Sequence, residues 1–321
     1  MQEKKRILAI VGPTASGKTA LSIALAKRLG GEIVSCDSMQ VYRGMDIGTA
    51  KPSEEERDGV PHHLIDIADP TQSFSVMDYV DAAERAVQDI LSRGRLPIFC
   101  GGTGLYLDAF LRGGVPETPG ADDRLRAELQ ALADTCGEDL LHAELARVDP
   151  ESAAVTHKNN VRRVIRALEI FRLTGTPKSE WDRRSRELPP RYRAAVIGLS
   201  FPVRAALVAR IDARVDAMLA QGLVEETRTL LAAGVFEHSP TAAAAIGYKE
   251  LLPYLRGECS LEQAVEELKI ATRRYAKRQL TWFSAKDYVR WIPAYEGEAP
   301  RKSEEIVNNA IESAETVWNM I

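Results

Sequence analysis

The segment Gly12-Pro-Thr-Ala-Ser-Gly-Lys-Thr19 follows directly on the apolar run Ile7-Leu-Ala-Ile-Val11 and constrains the chain more than any other stretch. It fits G-x-x-x-x-G-K-[ST], the phosphate-binding loop, in the context that loop needs. A β-rich run enters it, and Ala20–Leu29 leaves it with helical spacing and a Gly30-Gly31 stop. Backbone N–H groups at a helix start converge on one point with partial positive charge. Lys18 adds a full charge, and the Thr19 hydroxyl is suited to a magnesium ion. The loop predicts a di- or triphosphate ligand without saying which. Taken alone it points first to a kinase.

At 321 residues the chain has length for one large or two modest domains. No apolar run reaches membrane-spanning length, and the start carries no signal-peptide core. Cys36, Cys100, Cys136 and Cys259 are scattered without a C-x-x-C pair, which argues against structural zinc or a disulfide framework and for the cytoplasm. The net charge of −4 hides a local excess. Over residues 158–193, eleven Lys and Arg face four acids, and Arg273-Arg-Tyr-Ala-Lys-Arg278 is a second basic stretch. Such stripes suit a polyanion, or simply two solvated helix faces.

Four runs read as buried parallel strands: 6–11, 32–36, 96–100 and 194–199. Helical patterns at 20–29, 76–93 and 205–221 alternate with them, the signature of an α/β sheet covered on both faces. Between 120 and 190 only helical segments appear (121–134, 138–147, 159–173), so the interval reads as a helical insertion. Beyond 200 the chain is mainly helical, at 224–233, 261–285 and 303–320. The expected fold is a P-loop NTPase-like α/β core with a parallel sheet, 1–117 plus 192–321, carrying a helical insertion domain at 118–191. Ligands of such sheets bind beyond the C-terminal strand ends. The phosphate loop, Asp37-Ser-Met-Gln40 and Gly101-Gly-Thr-Gly104 all fall there.

Those three loops, in that order, carry a resemblance to a known family. Gly12–Thr19, the stretch 37–52 (Asp-Ser-Met-Gln-Val-Tyr-Arg-Gly-Met-Asp-Ile-Gly-Thr-Ala-Lys-Pro), the stretch 59–66 and Gly101–Tyr106 resemble the tRNA dimethylallyltransferases. So do Asn159–Glu169, Arg210–Asp216, Ala245–Glu250 and Thr272–Phe283, and the matches run from residue 7 to about 291. The stretch 37–52 is far more specific than the phosphate loop. The resemblance implies transfer of a dimethylallyl group from its diphosphate to N6 of the adenosine 3′ of the anticodon. It implies an isoprenoid diphosphate, rather than ATP, on Gly12, Pro13, Thr14, Ala15, Ser16, Gly17, Lys18 and Thr19, with Mg2+ on Thr19. The expected partners are the tRNA anticodon stem-loop and dimethylallyl diphosphate, with no membrane and a monomeric chain.

Allylic substitution needs the leaving pyrophosphate neutralised and the weakly nucleophilic amine oriented and relieved of a proton. Lys18, Thr19 with magnesium, and Arg214 suit the first task, with Arg210 in support. Arg210 and Arg214 share a helix face at i, i+4, though Asp212 and Asp216 offer a plain solvated-charge alternative. Asp37 suits the second task as base, or alternatively holds magnesium through water. Thr103 is placed to bond the N6 region or the pyrophosphate, or merely to cap the next helix. The stacked target base must be splayed out. Ser38, Met39 and Gln40 would then meet the extruded nucleotide. Arg126, Arg162, Arg163 and Arg166 are candidates for RNA phosphates, Tyr248 for stacking and Lys249 for phosphate.

Residues 242–245 are all Ala, where relatives often carry a larger polar or basic side chain, which weakens a direct RNA contact there. No zinc-finger extension is seen beyond residue 291, which suggests a bacterial-type member. His62-His63 reads as structural, because neighbouring strand residues point to opposite faces. The rival readings are a small-metabolite kinase, an adenylate isopentenyltransferase with the same donor but a free nucleotide acceptor, and a non-catalytic RNA-binding switch. The basic segment at 158–193 favours RNA over a mononucleotide.

Overall fold

The structure, a computed structural model, describes residues 4–112, 120, 122–187, 189–296 and 299–319. The chain divides into two compact units, Met1–Leu111 with Arg191–Ile321, and Arg112–Pro190. The expected boundary at 117/118 lies outside the described residues, as do Met320 of the last helical pattern and the side chain of Arg186 in the basic segment.

The first unit is built on six parallel strands: β1 (Arg6–Val11), β2 (Gly31–Ser35), β3 (His62–His63), β4 (Leu96–Cys100), β5 (Arg193–Ser200) and β6 (Val289–Pro293), in the order β3-β2-β4-β1-β5-β6. β1 lies central, with Leu8 opposite Ile98 on one side and Ala195 on the other. Side chains alternate between faces. Ile7, Ala9 and Val11 join Tyr79, Phe99 and Phe110 on one face; Leu8 and Ile10 join Leu25, Ile197 and Trp318 on the other. Helices cover both faces, which is why β1 and β4 read as continuous apolar runs.

β3 and β6 were not among the four runs read as buried strands. A two-residue edge strand has no period, and β6 (Val-Arg-Trp-Ile-Pro) takes its place by pairing with β5. The expected helices form as Lys18–Leu29, Val76–Ser92, Arg204–Ala220, Leu223–Ala232, Leu261–Ser284 and Ser303–Asn319. Ser75 with Asp78 and Ser260 with Gln263 close capping boxes at two of their starts. A third cluster, including Val41, Tyr42, Met45, Tyr248 and Leu268, packs beneath the loop that follows β2. Among the described residues no helix is long and apolar enough to cross a membrane.

The second unit packs the helices Asp123–Cys136, Glu138–Val148, Pro150–Val155, Val161–Thr174 and Lys178–Glu187. Its core is Leu129, Leu141, Leu145, Val164 and Leu168. The last of these helices was not foreseen, since it lacks a continuous apolar stripe. It is laced by the pairs Lys178–Asp182, Arg183–Glu180 and Arg184–Glu180 at helical spacing. The basic excess of 158–193 is therefore partly neutralised. Lys158 pairs with Asp139 and Arg172 with Glu144 as well.

Candidate active site

The phosphate loop joins β1 to the helix Lys18–Leu29. Lys18 Nζ donates to the Pro13 carbonyl at 2.6 Å. Burial, aided by the nearby Arg214 charge, brings its ammonium down to about 8, against the upward pull of Cys100 and Asp37. Ser16 Oγ is buried and has no hydrogen-bond partner among the described residues. A buried hydroxyl in need of a partner beside a lysine and a helix start fits a phosphate oxygen.

Arg210 and Arg214 both turn toward this loop. Arg210 Nε donates to the Ala15 carbonyl at 2.8 Å, and Arg214 Nη1 lies 3.5 Å from Thr14 Oγ1. Their acidic neighbours are engaged elsewhere: Asp212 holds Arg273 and Asp216 holds Lys269. Burial lowers the Arg214 guanidinium from its ordinary value, while Asp37 and Glu56 favour its charge. A half-buried arginine with no carboxylate at ion-pair distance among the described residues suits an anionic ligand.

Asp37 Oδ1 accepts the N–H groups of Met39 at 2.9 Å and Gln40 at 3.4 Å, which fixes the turn after β2. Oδ2 takes no hydrogen bond from the described residues. Thr103 joins this turn to the next one. Its hydroxyl accepts the Ser38 N–H at 3.0 Å and lies 3.4 Å from Ser38 Oγ, while its backbone N–H donates to the Cys36 carbonyl at 3.1 Å. The hydroxyl is not a helix cap, because the first-turn N–H groups of Tyr106 and Leu107 go to the Thr103 carbonyl.

Two expected nucleotide contacts need correcting. Gln40 has its amide spent inside the protein: Oε1 accepts from Ser35, and Nε2 donates to the Thr49 and Ala50 carbonyls at 3.2 and 3.1 Å. Tyr248 is wholly buried, its ring beside Phe236 and its hydroxyl on Glu226 at 2.6 Å, so it has no face for a base. Lys249 remains half exposed and lines a cavity. In the second unit, Arg126 and Arg166 both bind the buried Glu169, at 2.8 and 2.6 Å. Burial alone would raise that carboxyl, but the bonds from Arg166, the Asp122 N–H and Arg126 hold it below its ordinary value. These arginines are thus structural first, leaving one net positive charge among three groups. Arg162 and Arg163 are exposed and make no ion pair among the described residues. His63 bonds Glu32 and His62 the Val60 carbonyl, on the edge strand opposite Ile33 and Val34.

Gln279 and Tyr275 carry functions that sequence reasoning missed. Both lie on the helix Leu261–Ser284, and Gln279 ties the phosphate loop to the Gly101–Gly104 turn. Its Oε1 accepts the Thr14 N–H at 2.8 Å and its Nε2 donates to the Gly102 carbonyl at 3.1 Å. A Cβ on Gly102 would sit 1.9 Å from Nε2, so only glycine permits the contact. Tyr275 lies half-buried one turn earlier, and burial lifts its hydroxyl above the ordinary value, with Asp37 raising it further and Thr103, Arg278 and Gln279 pulling it down. The signal was the spacing of Thr272, Tyr275, Gln279 and Trp282 within a stretch already read as helical, basic and part of the resemblance.

Two cavities meet here. One of about 1130 Å³ runs along the phosphate loop past Lys18, Thr19, Lys51, Arg210 and Arg214. The other, about 300 Å³, is lined by Thr14, Asp37, Met39, Arg214, Tyr275 and Arg278, among others. Ala50, Arg214 and Met218 line both. A chamber with Lys18, Arg210 and Arg214 at its phosphate-loop end and Glu54, Glu55 and Glu56 also in its lining thus adjoins a smaller one holding a carboxylate and apolar walls. That arrangement suits transfer between an anionic donor and a second substrate.

Comparison with known proteins gives the family. The sequence profile of the IPP transferase family matches residues 40–286. The chain is 50% identical over 305 residues to the tRNA dimethylallyltransferase of Halalkalibacterium halodurans, covering 95% of this chain and 96% of that one. It is 47% identical over 310 residues to the Geobacter metallireducens tRNA dimethylallyltransferase, covering 97% and 98%. The crystal structure of the full-length tRNA isopentenylpyrophosphate transferase from Bacillus halodurans superposes with a TM-score of 0.70 at 47% identity, covering 98% of both chains. A eukaryotic dimethylallyltransferase caught acting on tRNA gives a TM-score of 0.81 at 30% identity, covering 96% of this chain and 80% of that one. The chain belongs to the IPP transferase family, among the tRNA dimethylallyltransferases.

Proposed function

We propose that this chain transfers the dimethylallyl group of dimethylallyl diphosphate to N6 of the adenosine 3′ of the anticodon in tRNA. The observation that carries the reading is the sharing of Arg214 by the phosphate-loop cavity and the Asp37 cavity. The diphosphate sits on the phosphate loop, with its allylic carbon directed past Arg214 toward Asp37. The N6–C1 bond forms as the C1–O bond breaks, pyrophosphate leaves with the bonding pair, and the N6 proton passes to the Asp37 carboxylate. Lys18, Arg214 and Arg210 stabilise the charge that grows on the leaving group. Thr103 keeps the Asp37 turn in place, and Tyr275, Ser38 and Met39 border the base.

Magnesium fits as a substrate-borne ion. Among the described residues no cluster of carboxylates, His or Cys forms a cage, whereas Thr19 offers one hard oxygen beside the phosphates. The ion would neutralise charge on the pyrophosphate. Arg162 and Arg163 of the second unit, with Lys249 and Arg278 of the first, meet the RNA backbone. One chain supplies every residue named, so a monomer suffices, and the RNA substrate puts the work in the cytoplasm. Incubation with labelled dimethylallyl diphosphate, magnesium and unmodified tRNA tests the reading, with AMP and ATP as controls. Label on tRNA alone, lost in Asp37→Ala, is expected. Label on AMP, or ATP turnover without transfer, would replace it with a free-nucleotide prenyltransferase or a kinase.

A further inference from the structure

The stretch 45–51 forms a partition between the two cavities. Asp46, Ile47 and Lys51 line the larger, Gly48 and Thr49 the smaller, and Ala50 both. The partition is held from behind by a single carboxylate on the helix Leu223–Ala232. Glu226 Oε2 accepts the N–H groups of Asp46 at 3.1 Å and Ile47 at 2.8 Å. Its Oε1 accepts the Gly48 N–H at 3.0 Å and the Tyr248 hydroxyl at 2.6 Å. Three successive backbone N–H groups converging on one anion form a nest, filled here by the chain's own side chain.

Shape adds to charge. A Cβ on Gly48 would stand 2.4 Å from the Tyr248 ring, so the ring presses on bare backbone. On the inner side Gln40 holds the Thr49 and Ala50 carbonyls, and the Thr49 hydroxyl closes onto the Met45 carbonyl at 2.6 Å. Ala50 is thereby kept in a left-handed conformation, φ 51°. Glu226 itself lines neither cavity.

We infer that Glu226 is a positioning residue for the transfer: through its four hydrogen bonds it sets the partition, and with it the gap between the allylic carbon and the attacking amine. The inference rests on the functional reading above. Glutamine in its place would turn an NH2 group toward at least one of the Asp46, Ile47 and Gly48 N–H groups, which can only donate, and the partition would shift. A misplacement of about 1 Å costs a rate factor on the order of 100.

The test uses the full chain with Glu226→Gln and Glu226→Asp. Steady-state transfer to unmodified tRNA gives kcat and both KM values; inorganic pyrophosphate probes the phosphate loop by calorimetry, and Tm reports folding. In Glu226→Gln, kcat should fall by about 10-fold or more. Pyrophosphate affinity should stay near wild type, Tm should fall as the bonds to Glu226 weaken, and Glu226→Asp should recover part of the rate. Unchanged kcat, or pyrophosphate affinity falling in step with kcat, would overturn the proposal; the second pattern would mean a purely structural contact. An active wild type matched by Glu226→Gln sinks this inference alone. A wild-type chain that transfers nothing sinks the functional reading beneath it.

Discussion

The side-chain oxygen of Gln279 accepts the backbone N–H of Thr14 at 2.8 Å, between residues 265 positions apart in the chain. That bond commits one phosphate-loop N–H to the protein and anchors the loop to the helix Leu261–Ser284. Gln279→Leu leaves the Thr14 N–H without its acceptor in a partly buried site, at a cost of about 1–3 kcal/mol. The expected outcome is a lowered Tm together with weaker pyrophosphate binding by calorimetry. Normal pyrophosphate affinity in this variant would show that the loop holds its shape without the clasp.

Asp37 is expected to matter for chemistry more than for folding. Asp37→Asn keeps an oxygen for the Met39 and Gln40 N–H groups but removes the base. Single-turnover transfer should drop by a factor of about 10²–10⁴, with Tm close to wild type. A full rate in Asp37→Asn would assign proton removal to another group.

Lys18 imposes a pH dependence. In the free protein its ammonium, depressed by burial to about 8, is lost as pH climbs through that value, whereas a bound diphosphate favours the charged form. Pyrophosphate affinity should therefore decline as pH rises through about 8, with proton uptake on binding above it. The unfolded lysine keeps its proton to about 10.4. Between these two values the unfolded state binds more protons, so this group's contribution to stability rises with pH. Calorimetry in buffers of differing ionisation enthalpy measures the uptake. Affinity independent of pH across that range would contradict the assignment.

Tyr248→Phe separates a wall residue from a base-stacking one. The phenylalanine keeps the packing and loses only the hydrogen bond to Glu226, so RNA affinity should be unchanged while stability falls by about 1 kcal/mol. A large loss of RNA affinity would mean that the ring leaves its core site to meet the base.

The exposed and the paired arginines of the second unit should behave differently. Arg162→Ala with Arg163→Ala should weaken tRNA binding and flatten its salt dependence by about 0.7–0.9 in slope per lost phosphate contact. Arg126→Ala should chiefly lower Tm, since it strips a cation from the buried Glu169. Pyrophosphate binding should vary far less with salt than tRNA binding; equal salt slopes would collapse the division between the two surfaces.

Local chemistry alone determined the α/β class, four of the six parallel strands, the phosphate loop and the placing of Asp37 and Thr103 at strand ends. Each of these is written within a few residues: a continuous apolar run, a glycine spacing, an acid after a strand. Tertiary structure alone decided which side chains of the stretch 37–52 line a cavity and which face inward. Asp37 and Gln40 lie three positions apart, yet one lines a cavity and the other holds the Thr49 and Ala50 carbonyls. Tyr248 looked suited to stacking until Gly48 and Glu226 closed around it. The basic segment was legible as charge but not as pairing, because Glu144 and Asp139 lie outside it in sequence. The physical reason is the same throughout. A side chain's role depends on its nearest partners, and partners such as Thr14 and Gln279, or Gly48 and Glu226, come together only when distant helices pack against the loops.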